Sequence, residues 1–126
     1  MGQYSFTKDE RLLKSKDFVS VQKQGKRVAS KNFAVFIKTN SLGIRRLGFA
    51  VSRKVGGAVQ RNRIKRFFRE FFRLNKEFFP PSTDIFILVK HGFNPGVYKE
   101  VEEEFKLLDL RLKRLLTNST ISDYTD

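Results

Sequence analysis

After Gly56-Gly57 the chain places two surfaces of opposite character on one helix. Measured at 100° per residue from Ile64, the side chains of Phe67, Phe68, Phe71 and Phe72 lie within about 80° of it. Asn62, Lys65, Arg66, Arg69 and Arg73 fall on the opposite side. Such a helix cannot be buried all round, because its cations would lose their water. Nor can it stand alone, because four phenylalanines on one stripe need an apolar partner. Pro80-Pro81 stops the chain after it. The rest of the sequence therefore has to build a surface for the Phe stripe and leave the basic side open.

Strand patterns flank this helix. From Arg27 to Thr39, Phe33, Val35 and Ile37 alternate with Ala34, Phe36 and Lys38, the period of a strand. Asn40, Ser41 and Gly43 mark a turn, and Leu47, Phe49 and Val51 alternate again. Ile85 to Val89 is an unbroken apolar run of strand length, which predicts a strand buried on both faces. Ser15 is placed to cap a short helix through about Gln24, with Gly25 as its stop. After the Asn94-Pro95-Gly96 turn, Val101, Phe105, Leu108, Leu112 and Leu115 predict a last helix from about Val97 to Leu116. Its acids come early and its bases late, which complements the helix dipole. The order is α, two or three strands, α, strand, α: a small sheet with helices packed on it, in the α+β class. Residues 1–12 read as a mobile arm, 13–116 as one domain and 117–126 as a disordered tail.

Charge separates along the chain in the same way. The net charge is +13, and residues 45–73 carry ten Lys or Arg against one acid, Glu70. Residues 74–126 carry seven bases against nine acids, so the C-terminal part is nearly balanced. A basic stripe confined to one part of a domain is the footprint of a nucleic-acid face. A solvated helix face is the alternative, but such faces usually mix signs. With no cysteine, disulfides and thiolate metal sites are excluded, and a reducing compartment fits. The N-terminal stretch has no long apolar run, and no segment approaches the length needed to span a bilayer. The expected location is the cytoplasm.

Catalytic residue sets are missing. His91 is the only histidine, so a nucleophile with an imidazole base would have to use it. Beside Gly92 it reads as a loop residue. Glu102, Glu103 and Glu104 are consecutive on a helix and cannot converge on one ion, so they read as a solvated helix start. No zinc spacing and no Walker loop is present. Neither a catalytic residue nor a protein metal site is assigned.

Two features fit a polyanion instead. Arg forks bind phosphate and stack on bases, Lys supplies a point charge, and Asn donates and accepts. Gly56-Gly57 either lets backbone amides approach a phosphate or is a plain strand-to-helix turn. Phe36 has the parity opposite to Phe33, Val35 and Ile37, while Gly48, Ala50 and Ser52 on the next strand are small and share one parity. If these lie on one face, they form a shallow groove with an aromatic floor for stacked bases. The other reading is that Phe18 and Phe36 are core.

The segment Gly48-Phe-Ala-Val-Ser-Arg-Lys-Val-Gly-Gly-Ala-Val-Gln-Arg-Asn-Arg-Ile-Lys-Arg66 resembles the signature of the bacterial ribonuclease P protein family, centred on Arg61-Asn62-Arg63. A weaker resemblance covers Leu12 to Lys38, and the element order extends it to about Leu116. It implies an α-β-β-β-α-β-α sandwich like ribosomal protein S5 domain 2, with a left-handed βαβ crossover. It implies a protein subunit of an endoribonuclease that removes the 5′ leader of precursor tRNA. The RNA subunit carries out the chemistry, and its phosphates hold Mg²⁺. By position, Ser52, Arg53, Lys54, Arg61, Asn62, Arg63, Lys65, Arg66 and Arg69 match the family's RNA-facing stretch. Phe18 and Phe36 match aromatic positions of its leader cleft. Gln22 stands one turn after Phe18, where some members carry a third aromatic, and the tail is not basic. The competing reading is a ribosomal or other structural RNA-binding protein of similar fold.

Overall fold

A computed structural model describes residues 6–12, 14–109 and 111. The elements are α1 (Ser15–Gln24), β1 (Lys26–Ala29), β2 (Phe33–Thr39), β3 (Arg46–Ala50), α2 (Ala58–Leu74) and β4 (Thr83–Val89). A third helix, α3, occupies residues 98–109 and 111. The rest of the expected last helix and the tail at 117–126 lie outside the described residues.

The four strands form one sheet in the order β1-β2-β4-β3. The β1–β2 and β2–β4 pairs are antiparallel, whereas β3 runs parallel to β4 and reaches it through α2. The Arg27–Thr39 stretch is therefore not one strand but a hairpin, turning at residues 30–32. Glu104 explains the break. Its carboxylate accepts from the Ser30 hydroxyl, from the Asn32 backbone amide at 2.8 Å and from the Asn32 side chain at 2.7 Å. Glu104 is thus a buried clasp between α3 and the hairpin, not a member of a solvated acidic run.

Alternation sends the two sides of the sheet to different partners. Phe33, Val35, Ile37, Leu47, Phe49, Ile85 and Ile87 face α2 and α3. There Phe105 stacks on Phe71 with centroids 4.0 Å apart and also touches Phe33 at 4.9 Å and Phe68 at 5.9 Å. Burying each such ring contributes about 1.5–3 kcal/mol. The Phe stripe of α2 supplies Phe67, Phe68, Phe71 and Phe72 to this core, as its periodicity requires.

Ala34, Phe36 and Phe86 point to the other side, where Val21 of α1 and Leu12 close over them. The helix comes close because Gly25 has no side chain. A Cβ there would meet the Val21 carbonyl and lie 2.6 Å from that of Ile37. Gly25 has an ordinary φ of −83°, so close approach and not left-handed backbone demands glycine. The cap position of α1 is Lys14, not Ser15, and no side chain caps it. Covering is incomplete: Leu88, in the run expected to be buried throughout, is 38% exposed.

The segment read as a mobile arm is docked from Phe6 onward. Leu12 is buried, its amide donates to Leu47 O at 2.9 Å, and Arg11 bridges to Leu47 alongside β3. Phe6 packs edge-on against Phe72 at 5.3 Å. Lys76 Nζ lies 2.7 Å from Glu10 Oε2 and ties the segment to the end of α2.

Candidate RNA-binding interface

The loop between β3 and α2 is held from inside. Val51 and Val55 are buried, and the Val55 amide donates to Ser52 O at 3.0 Å. That turn leaves Ser52, Arg53 and Lys54 exposed at its tip. The Gln60 amide locks it by donating to Val55 O at 3.3 Å and Phe93 O at 3.1 Å. A Cβ at Gly56 would displace the Gln60 side chain from this lock. Gly57, with open space around it, caps α2 without a side-chain hydrogen bond.

Along α2, Asn62, Arg66 and Arg69 are exposed, while Arg61, Arg63 and Lys65 are half-buried at its sides. Arg61 spends one donor on Gly56 O at 3.1 Å. The Arg66 guanidinium sits 5.7 Å from the centroid of Phe67, and that of Arg69 sits 5.4 Å from Phe49. None of Arg53, Lys54, Arg61, Arg63, Lys65, Arg66 and Arg69 pairs with a described carboxylate. Arg73 differs: its Nη2 lies 2.5 Å from Glu70 Oε1 at the far end of the helix. Charges left unpaired on one side of a helix repel each other, and a polyanion relieves that repulsion.

The sheet registers Arg27, Phe36, Phe86 and Gly48 in one row, so Phe36 and the small residues of β3 do share a face. Phe36 is nevertheless 9% exposed, its ring 6.3 Å from Phe86. Phe18, half-buried, closes over Phe86 at 4.9 Å. The aromatic floor is thus largely roofed by α1, and Phe18 is its accessible part. Where α1 ends its cover, a groove of about 850 Å³ opens, lined by Ala50, Ser52, Lys54, Leu88, Lys90 and His91. It joins the sheet face to the tip of the basic loop. Sequence reasoning missed Lys90 and Leu88. Lys90 also holds the hairpin through Ser30 O at 2.7 Å, a partner 60 residues away that no local pattern reveals.

The end of the sheet beside the start of α1 is braced by charge. Arg46 forks onto Asp84 through Nε at 2.8 Å and Nη2 at 2.7 Å, and Asn40 Nδ2 donates to Asp84 Oδ1 at 2.8 Å. Hydrogen bonding to the Asp84 carboxylate, working against burial, raises the Arg46 pKa above its ordinary value. Among the described residues, no three His, Asp or Glu side chains are grouped to hold a metal ion. No described helix is long and apolar enough to cross a membrane.

The family profile described as Ribonuclease P matches residues 6–115. The chain belongs to the ribonuclease P protein family. It is 41% identical over 108 residues to the ribonuclease P protein component of Syntrophus aciditrophicus, covering 86% of this chain and 91% of that one. The Thermotoga maritima component is 39% identical over 105 residues, 83% of each chain. The solved Staphylococcus aureus RNase P protein superposes with a TM-score of 0.73 at 30% identity, over 82% of this chain and 94% of that one. The match spans the whole α+β architecture and includes the Arg61-Asn62-Arg63 segment near the head of α2.

Proposed function

We propose that this chain is the protein subunit of a ribonuclease P ribonucleoprotein. It binds the catalytic RNA and the 5′ leader of precursor tRNA and assists endonucleolytic removal of that leader in the cytoplasm. The observation that carries the reading is the set of cations from Arg53 to Arg69 that no described carboxylate neutralises. Lys65, Arg66 and Arg69 would meet phosphates of the catalytic RNA, with Asn62 beside them. Phe18 and the groove beyond it would receive the single-stranded leader, because bases stack on exposed rings whatever their identity. Mg²⁺ belongs to the RNA phosphates on this reading. The protein's cations lower the charge density around them, so the complex needs less Mg²⁺ to hold its substrate.

Cleavage of precursor tRNA by a ribonuclease P RNA at low Mg²⁺, with and without the protein, tests the proposal. Addition of the protein should restore cleavage, and the protein alone should cleave nothing. A protein that binds the RNA but never restores cleavage would instead be a structural RNA-binding protein.

A further inference from the structure

On the outer edge of β3, the segment Phe6–Leu12, α1 and α2 enclose a cleft of about 340 Å³. Phe6, Phe18 and Phe49 supply rings to its walls, and Arg11 and Arg69 reach into it. The Arg11 guanidinium lies 5.4 Å from the Phe6 centroid, and that of Arg69 lies 5.4 Å from the Phe49 centroid. Both arginines are exposed, and neither has a described carboxylate partner. Phe6 and Phe49 are half-buried and backed by Phe72 at 5.3 Å and Phe68 at 5.9 Å. The floor depends on Gly48, where a Cβ would stand 2.7 Å from the Phe18 ring and 2.8 Å from Leu12 O.

Rigidly backed rings with two cations at the rim fit a flat, apolar-faced group that carries anionic neighbours. A nucleobase between its phosphates has that character. The volume is at the small end of ligand sites, room for one nucleoside and not for a folded element. Arg69 belongs to the same helix side as Lys65 and Arg66, so the cleft continues the basic surface of α2. The leader groove lies on the α1 side of the sheet, beyond Phe18. We propose that this cleft takes one unpaired base of the catalytic RNA. Arg11 and Arg69, which lie over the Phe6 and Phe49 rings, swing out to engage the flanking phosphates, and the base stacks in their place. The inference deepens the proposed function and rests on it.

The affinity of the full-length protein for ribonuclease P RNA, measured across a salt series, separates the two kinds of contact. Arg11→Gln should weaken binding and flatten the slope of log K against log salt by roughly 0.7, the change for one single-strand phosphate. Phe6→Leu keeps an apolar group against Phe72 but removes the ring. It should weaken binding about fivefold or more with the slope unchanged. Should Phe6→Leu melt early, Arg11→Gln carries the test alone. Lys65→Gln is the reference for the proposed function. If Lys65→Gln binds weakly while Arg11→Gln and Phe6→Leu bind as wild type, the cleft is no RNA site and the functional reading stands. If all three bind as wild type, both readings fall. A loss seen only with leader-bearing precursor in the assembled complex gives the cleft to the leader and overturns the assignment.

Discussion

One sheet serves two purposes, and its two faces differ accordingly. The face under α2 and α3 is closed by a continuous cluster of rings centred on Phe105. Among the described residues, the face under α1 is closed by five buried ones, and beyond them Leu88 and the groove to Lys54 stay open. Stability is thus concentrated on one side, which leaves the other free to be incompletely covered. An RNA strand needs such a surface: exposed apolar area, some ring edges, and cations at the margin. A chain that sealed both faces equally would gain stability and lose the groove.

The largest expected effect tests the closed face. Phe105→Ala removes a fully buried ring from a packed cluster and should lower unfolding free energy by about 3–5 kcal/mol in urea melts. Phe18→Ala, at the half-exposed edge of the other face, should cost far less stability. Equal losses from the two substitutions would mean that both faces carry the fold alike.

A middle-sized effect sharpens the open face. Phe18→Ala should weaken binding of leader-bearing precursor tRNA by about 1–3 kcal/mol, the worth of one stacked base, and spare mature tRNA. Phe36 lies under α1, so Phe36→Ala should act through folding and lower affinity for both tRNAs alike. If Phe36→Ala melts normally and discriminates against the leader, α1 lifts off the sheet when RNA binds.

The difference between the faces was only half legible in the sequence. The α2 side announces itself, because the spacing of Ile64, Phe67, Phe68, Phe71 and Phe72 admits one periodicity and one stripe. That Phe36 and the small residues of β3 share a face was only a conditional in the sequence, since parity within each strand does not set the register between them; the register supplies it. How far α1 reaches over that face was not legible, since it depends on Gly25 fitting without a side chain between Val21 O of the helix and Ile37 O of β2. The clasp by Glu104 was hidden for a similar reason. Three consecutive glutamates look alike in sequence, and only the hairpin 72 residues away distinguishes one of them. The docking of Phe6–Leu12 was missed because its partners, Leu47 and Phe72, belong to other elements.

That docked segment gives the smallest effect and the finest test of how the two faces are joined, since Leu12 caps the α1 face while Glu10 grips the end of α2. Burial would push the Glu10 carboxyl up, but hydrogen bonds from Lys76 and Thr7 outweigh it and hold its pKa below the ordinary value. A depressed folded-state pKa means that the carboxylate stabilises the fold above the unfolded value. The contribution is lost as pH falls through the folded one. Because the pair lies near the surface, it is worth about 1 kcal/mol or less. Glu10→Gln should therefore melt slightly below wild type at neutral pH, and the gap should close as pH falls below the ordinary carboxylate range. A gap that persists unchanged at low pH would show that Glu10 acts through packing and not charge. The segment would then be held to α2 by Phe6 against Phe72, with the ion pair a bystander.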